Sequence, residues 1–227
     1  MKLVPIRTFE EFCADLLKAG FSMGGDNAEG VFSLSSLFQA NLRHHTGDPE
    51  TDPWIWRIRA VTEREEFAGG KFFLGKNGWI TREWLPRFIS VRRQGRTMEE
   101  RYAQGLVPRM AKTLYDRIRE EPHCHMVQLR SALGIGKEDR SRFDGALRFL
   151  QKELFIVVSG EARKTSLSGA PYGWPVTTYC TASRFFGDAL EEEAAGLDPS
   201  VARIEVIDRI RELNPAATDG AIARFLG

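Results

Sequence analysis

The stretch GIGKEDRSRFDGALRFLQKELFIVVSG, residues 134–160, predicts a helix that runs directly into a β-strand. Its apolar residues Phe143, Ala146, Leu147 and Leu150 follow the i, i+3, i+4, i+7 spacing of one buried helix face. The run FIVVSG that follows is rich in β-branched residues, which favour extended backbone. The pattern leaves open whether this helix contacts a nucleic acid or only supports a small domain.

Two more helices are predicted before this stretch and a second strand after it. VPRMAKTLYDRIREEP, residues 107–122, is bounded by prolines and has apolar side chains four residues apart, and HMVQLRSALG, residues 125–134, ends at glycine. Beyond the stretch, EARKTSLSGAPYG has turn composition and WPVTTYCTASRFF is predicted as a returning strand. Helix, helix, helix, strand, loop, strand is the order of a winged helix-turn-helix.

Helices are also predicted on both sides of this unit. Thr8 caps the first helix, Asp52 caps a second that begins at Pro53 and has Trp54 on its apolar face, and Asp198 caps a helix in the tail. The acidic segment EEEAAG, residues 191–196, is predicted as the joint before the tail.

The predicted fold class is α+β, mainly α with small β elements. We expect three parts, which are an N-terminal helical, winged-helix-like region over 1–106, a winged helix-turn-helix over 107–187 and a helical tail over 188–227.

Composition places the chain among globular proteins. It has 227 residues, of which 42% are hydrophobic and 28% are charged, and it has neither a signal segment nor an apolar run near the length of a membrane span. Its three cysteines are widely spaced, which fits reduced thiols better than a disulfide framework. We therefore expect a cytoplasmic protein with no membrane partner.

Charge is distributed unevenly along the chain. Residues 82–96 contain five arginines and one glutamate, whereas residues 185–227 contain four arginines and nine acids. The middle of the chain is therefore predicted to form a basic surface for an anionic partner. The alternative is that this run of charge is only a solvated face.

The predicted winged helix has the residue types needed for contact with duplex DNA. In a helix-turn-helix the third helix enters the major groove, and here its outward side chains are three cations and Asp144. The hairpin that follows mixes cations with aromatic residues, which suits backbone and groove contact. The alternative for the aromatic pair is that it covers the sheet edge. The predicted DNA-binding residues are Arg92, Arg93, Arg140, Arg148, Lys152, Arg163, Lys164, Tyr172 and Trp174.

No metal site or cofactor is predicted. The histidines of HCH, residues 123–125, and HH, residues 44–45, are too closely spaced to converge on one tetrahedral ion, and there is no CxxC pair. A glycine-rich phosphate loop and a GxSxG nucleophile motif are also absent from the sequence.

Two stretches carry a resemblance to a known family. HHTGDPETDPWIWR, residues 44–57, and GKFFLGKNGWITREWLPRF, residues 70–88, resemble the AlkZ-related proteins, which are relatives of the AlkZ/YcaQ winged-helix DNA glycosylases. The similarity extends from Val31 to the final NPAATDGAIARFLG. It implies winged-helix units around a channel for double-stranded DNA and removal of alkylated or crosslinked bases. The family motif, Gln-x-Gln or Gln-x-Asp, corresponds here to Gln39 and Asn41.

The chemistry of base removal explains such a motif. Cleavage of an N-glycosidic bond passes through an oxocarbenium-like state, so amide side chains that orient a water are useful. Asn41 stands where the family has Gln or Asp, and an amide cannot act as a base. The alternative is that Gln39 and Asn41 are polar residues at a helix end.

Three functions remain open from the sequence. The first is a DNA-binding, glycosylase-like protein, which would be a monofunctional hydrolase if it is an enzyme. The second is a winged-helix transcriptional regulator without catalysis. The third is a protein-interaction scaffold whose basic segment pairs with acidic tails.

Overall fold

Helices outweigh strands in the structure, a computed structural model that describes residues 4–165 and 170–227. Within these residues, six strands form two antiparallel sheets of three strands each. The predicted α+β class is therefore confirmed. The turn predicted in EARKTSLSGAPYG includes residues 166–169, which lie outside the described residues.

The first sheet lies in the N-terminal part, which the sequence predicted as helical. Its strands are β1 (Phe21–Met23), β2 (Phe67–Phe73) and β3 (Lys76–Thr81). Their order in the sheet is β1-β3-β2, so the last strand of the three lies in the middle. Trp79 of the middle strand β3 is paired with Gly69 of β2 on one side and with Ser22 of β1 on the other. The elements of this part are α1 (Phe9–Ala19), β1 (Phe21–Met23), a 3₁₀ helix (Leu34–Leu37), α2 (Pro53–Thr62), β2 (Phe67–Phe73), β3 (Lys76–Thr81), α3 (Leu85–Arg93) and α4 (Met98–Ala103).

The second sheet contains the strand predicted from the opening stretch. Its strands are β4 (Cys124–His125), β5 (Ile156–Thr165) and β6 (Pro171–Thr181), in the order β4-β6-β5, again with the last strand in the middle. The elements from here to the C-terminus are α5 (Arg109–Glu120), β4 (Cys124–His125), α6 (Met126–Ala132), α7 (Arg140–Lys152), β5 (Ile156–Thr165), β6 (Pro171–Thr181), α8 (Ala182–Phe186), α9 (Ala189–Ala195), α10 (Pro199–Leu213) and α11 (Asp219–Leu226).

Both halves repeat one order of elements. A helix is followed by a strand, a short helix, a longer helix and a hairpin, first from α1 to β3 and then from α5 to β6. No sequence repeat accompanies this repetition of topology. The two copies are joined where the backbone N–H of Lys71 in β2 donates 2.9 Å to the Oε1 of Gln151 in α7.

Local capping sets where several helices begin. Thr8 Oγ1 accepts the N–H of Glu11 at 3.3 Å at the start of α1. The Asp198 carboxylate accepts two backbone N–H groups at the start of α10. Each cap satisfies donors that the first turn of a helix leaves unpaired, so these predicted starts are confirmed.

The junction between α7 and β5 is a tight turn. Leu154 has a φ of 60°, in the left-handed region that most residues avoid. The next N–H, that of Phe155, donates 2.9 Å to the carbonyl of Leu150 and closes the helix. The predicted helix and strand are therefore confirmed.

Two local predictions are wrong. Trp54 is 46% exposed, because α2 turns Trp56 inward instead. The predicted strand WPVTTYCTASRFF ends at Thr181, whose hydroxyl accepts the N–H of Arg184 and starts α8. Residues 191–195 of the predicted acidic joint are helical and belong to α9, which packs against α3.

Aromatic rings connect the tail to the first sheet. Phe225 of α11 stacks on Phe73 of β2 with ring centroids 4.1 Å apart, and it also lies against Phe21 and Phe88. These rings are buried, so removing the tail would expose a large apolar surface of the N-terminal part. Among the described helices, none is long and apolar enough to cross a membrane.

Candidate functional site

Gln39 lines a cavity of about 610 Å³ between α2 and the first sheet. Five aromatic side chains form much of its wall, and polar or charged side chains surround them. The aromatic residues are Phe12, Phe38, Trp54, Trp56 and Trp79. The polar and charged residues are Asp26, Ser35, Gln39, His44, Arg57, Lys71, Lys76 and Asn77. Such a mixture suits a flat, partly polar ligand.

The backbone on both sides of Gln39 is held by hydrogen bonds. Its N–H donates 3.0 Å to the carbonyl of Ile6, and its own carbonyl accepts the N–H of Leu42 at 3.0 Å. Asn41, the other residue of the motif, is exposed and is not part of the cavity wall. The structure therefore brings only the first motif residue to the cavity.

Buried Asp52 organises the loop that forms one wall of the cavity. Its Oδ2 accepts the N–H groups of Thr46 and Gly47 at 2.8 and 3.1 Å, and its Oδ1 accepts that of Trp54 at 2.9 Å. Burial raises the pKa of this carboxyl, but the backbone N–H groups outweigh burial and hold the pKa below its ordinary value. The resembling stretch 44–57 is therefore ordered around one ionised carboxylate.

A cation lies over the exposed ring of Trp54. The Arg57 guanidinium is 4.5 Å from the centroid of the Trp54 ring. The centroid of the His45 ring lies 4.6 Å from the same Trp54 centroid. Arg57 also pairs with Glu161 of β5 at 3.0 Å. This ion pair connects the wall of the cavity to the second sheet.

A second cavity of about 300 Å³ adjoins the first. Both are lined by the same four residues, which are Arg57, Lys71, Asn77 and Trp79. The far wall of the second cavity is formed by β6 residues 175–177 and Tyr179. We call the two joined cavities the groove. It runs from Gln39 to the β5–β6 hairpin.

The predicted hairpin residues lie at the β6 end of the groove. Trp174 is 85% exposed and immediately precedes Pro175 of the groove wall, and Tyr172 is 53% exposed. Because both rings are exposed, neither is buried against the edge of the sheet. Arg163 is exposed and Lys164 is half-buried on the partner strand, where Lys164 pairs in register with Tyr172.

The predicted cations of α7 are at the surface. Arg140, Arg148 and Lys152 are exposed, while Asp144 binds Arg130 at 2.6 Å. Arg130 thus offsets the carboxylate that would repel a phosphate. Within the described part of the chain, no ion pair engages the three α7 cations, Arg163 or Lys164.

Arg92 and Arg93, also predicted to bind DNA, have another role. Both are buried. Arg92 donates to the carbonyls of Lys152, Phe225 and Leu226, at the C-terminal ends of α7 and α11. Arg93 donates to the carbonyls of Glu153 and Leu154. Because their guanidinium groups are used inside the fold, both residues are removed from the candidate surface.

Three of the five arginines in the predicted basic surface of residues 82–96 form ion pairs with acidic residues near the C-terminus, and Arg96 is exposed. Arg82 pairs with Glu193 at 2.7 Å, Arg87 with Glu205 at 2.5 Å and Arg93 with Glu191 at 2.7 Å. The basic middle and the acidic tail of the sequence thus neutralise each other. The sequence shows both charge runs but contains no signal that they meet.

Comparison with known proteins yields one match. The model of a family described as AlkZ related matches residues 6–227. No curated protein matches the chain, and neither does any solved structure. Among the described residues, no group of three or more His, Cys, Asp or Glu side chains could hold a metal ion.

Proposed function

The chain belongs to the AlkZ-related family, and from this membership we propose that it binds double-stranded DNA and hydrolyses the N-glycosidic bond of an alkylated or crosslinked base. One observation carries the proposal. Gln39, the residue that corresponds to the glycosylase motif, lines an aromatic cavity that opens along the groove toward the exposed hairpin.

Residues 107–187 are the proposed winged helix-turn-helix, with β5 and β6 as its wing. The order of helices and strands and the β4-β6-β5 sheet support this proposal. Residues 1–106 are a second winged-helix-like region, supported by the repeated order of elements, and residues 188–227 are a helical tail that packs on α3.

The cavity is the proposed site for a base that has left the duplex. An enzyme that acts on a base must take it out of the stack, and aromatic walls replace the lost stacking. A cavity of about 610 Å³ leaves room for a purine and the adjoining sugar. Gln39 would orient the attacking water beside that sugar.

The hairpin and α7 supply the proposed duplex contacts. The exposed rings of Tyr172 and Trp174 are suited to insertion beside the vacated position in the stack. Arg140, Arg148, Lys152, Arg163 and Lys164 would contact phosphates. The scaffold hypothesis loses its main support, because the basic segment has its acidic partners within the chain.

Base release from a defined duplex tests the proposed function. We expect the protein to release 7-methylguanine from an oligonucleotide duplex and to leave an abasic site. Gln39→Ala should slow release by on the order of 10- to 1,000-fold at unchanged DNA affinity, because water placement acts on the transition state. The matched control is Gln104→Ala, an exposed position that does not line the groove.

A different outcome would favour the transcriptional regulator. A regulator prefers one sequence, often as two half-sites about one helical turn apart, whereas a protein that searches for lesions binds most duplexes similarly. Selection from random duplexes that returned a palindrome, together with no base release, would contradict the proposed enzyme.

A further inference from the structure

We propose that Asp26 is the catalytic carboxylate of this site, a role that rests on the proposed base release. Among the described residues that line the Gln39 cavity, Asp26 is the only one with a carboxyl group. The second motif residue, Asn41, is an amide and lies outside the cavity wall. The carboxylate that the motif position lacks is thus available from a different loop.

Hydrogen bonds fix the backbone next to Asp26. The N–H of Gly25 donates 3.1 Å to Ser35 Oγ, and the Gly25 carbonyl accepts a bond from Ser33 Oγ. One residue earlier, the N–H of Gly24 donates 2.7 Å to the carbonyl of Asn77 in β3. The backbone immediately before Asp26 is therefore hydrogen-bonded to Ser33 and Ser35 on one side and to β3 on the other.

The same contacts connect Asp26 to Gln39. Ser33 caps the 3₁₀ helix Leu34–Leu37, Ser35 lies within it, and Gln39 follows it by two residues. Gly25 has a φ of 80°, a backbone conformation that glycine adopts without steric cost. Asp26 and Gln39 therefore project from one hydrogen-bonded frame, so their relative position does not depend on a mobile loop end.

The Asp26 side chain is free to act on a water. It is exposed and makes no hydrogen bond or ion pair with any described residue. By contrast, two of the three cations of the cavity wall are paired, Arg57 with Glu161 and Lys76 with Glu29 at 2.5 Å. The negative charge of Asp26 is therefore not neutralised by a direct partner.

This placement suits one step of the hydrolysis. The oxygen of a water that Gln39 orients forms a bond to C1′ of the sugar while the C1′–N bond of the alkylated base breaks. The electron pair of that bond leaves with the base, which neutralises the positive charge of an N-alkylated ring. Asp26 accepts the proton that the water loses, and its charge favours the oxocarbenium-like transition state.

Single-turnover release of 7-methylguanine from a duplex oligonucleotide tests the role. We expect Asp26→Asn to slow release by on the order of 100-fold or more with unchanged DNA affinity and melting temperature. The matched control Glu65→Gln removes the same charge at an exposed position outside the groove and should release the base at the wild-type rate. Asn41→Asp in the Asp26→Asn background should not restore activity.

Chemical rescue separates catalysis from structure. In Asp26→Ala, added formate can occupy the vacated space and accept the proton, so we expect it to restore part of the rate. Loss of release that formate does not reverse would assign Asp26 a structural role and overturn the proposal. Release by Asp26→Asn within about threefold of wild type would overturn it too, while leaving the proposed function in place. No release by the wild-type protein would overturn both.

Discussion

Arg92 shows at the residue scale how a charged side chain can serve as a structural cap. The last carbonyls of a helix lack partners within it, and Arg92 donates to such carbonyls at the ends of α7 and α11. Burial lowers the pKa of Arg92 to about 10, against the opposing effect of Glu153, so the group remains charged at neutral pH. One guanidinium therefore joins the second half of the chain to its tail.

Arg92→Ala should reduce the free energy of unfolding by about 2–4 kcal/mol, because it leaves buried carbonyls without donors. The matched variant Arg148→Ala, at an exposed position of α7, should change it by less than about 0.5 kcal/mol and should weaken DNA binding instead. Urea denaturation and DNA titration of both variants measure the two effects. The opposite pattern would return Arg92 to the DNA-binding surface.

Asp52 has a pH-dependent effect on stability. Its pKa is lowered in the folded state, so its contribution is fully present above the ordinary carboxyl pKa of about 3.9 and is lost as the pH falls through the lower folded value. We expect Asp52→Asn to be about 1–2 kcal/mol less stable than wild type at pH 7. The difference should narrow below about pH 4. Urea unfolding across this range measures it, and a constant difference would contradict the assignment.

At the element scale, the β5–β6 hairpin exposes the aromatic side chains of Tyr172 and Trp174 to solvent. Its strands pair in register along most of their length, with irregularities between Val158 and Gly160 and between Ala162 and Lys164. The second irregularity lies opposite residues 173–175, where the φ of Gly173 is 72°. Trp174 is consequently displayed to solvent at the end of the groove.

Trp174→Ala should leave thermal stability unchanged and weaken binding to a duplex with an abasic site. Stacking of a base on an aromatic ring contributes about 1–3 kcal/mol, which corresponds to roughly a 5- to 150-fold loss of affinity. Tyr102→Ala, at an exposed ring on α4, is the control and should bind normally. Fluorescence anisotropy and thermal melts check both expectations. Equal affinity of the two variants would mean that the hairpin does not enter the duplex.

At the scale of the whole molecule, two copies of one topology enclose the groove between them. The first copy supplies Gln39, Asp26 and the aromatic walls, and the second supplies the hairpin and the exposed cations of α7. The tail packs on α3, where Arg87 pairs with Glu205, and on β2, where Phe225 stacks on Phe73. A DNA duplex bound as proposed would contact both halves.

The affinity for duplex DNA should fall steeply as salt rises. If Arg140, Arg148, Lys152, Arg163 and Lys164 each contact a phosphate, the log-log slope should be about −4.5, since each contact contributes about −0.9. Alanine substitution of Arg148 and Arg163 together should reduce the slope by about 2. Titrations at several salt concentrations measure both values. A flat response would remove the DNA-binding proposal, whatever the cavity binds.

Local patterns in the sequence determined the elements, and the tertiary structure decided the environments of the charges. Caps such as Thr8 and the spacing of apolar residues such as Phe143 act over a few positions, so helix starts and the helix-to-strand junction could be predicted. Gln39 was found through a three-residue resemblance. The burial of Arg92 depends on contacts with residues far apart in the chain, and the presence of Asp26 and Gln39 in one cavity wall depends on how the segments that form the cavity pack together. A run of arginines looks the same in sequence whether phosphates or its own helix ends neutralise it, and only the packing of α3 against α7, α9 and α11 distinguishes the two.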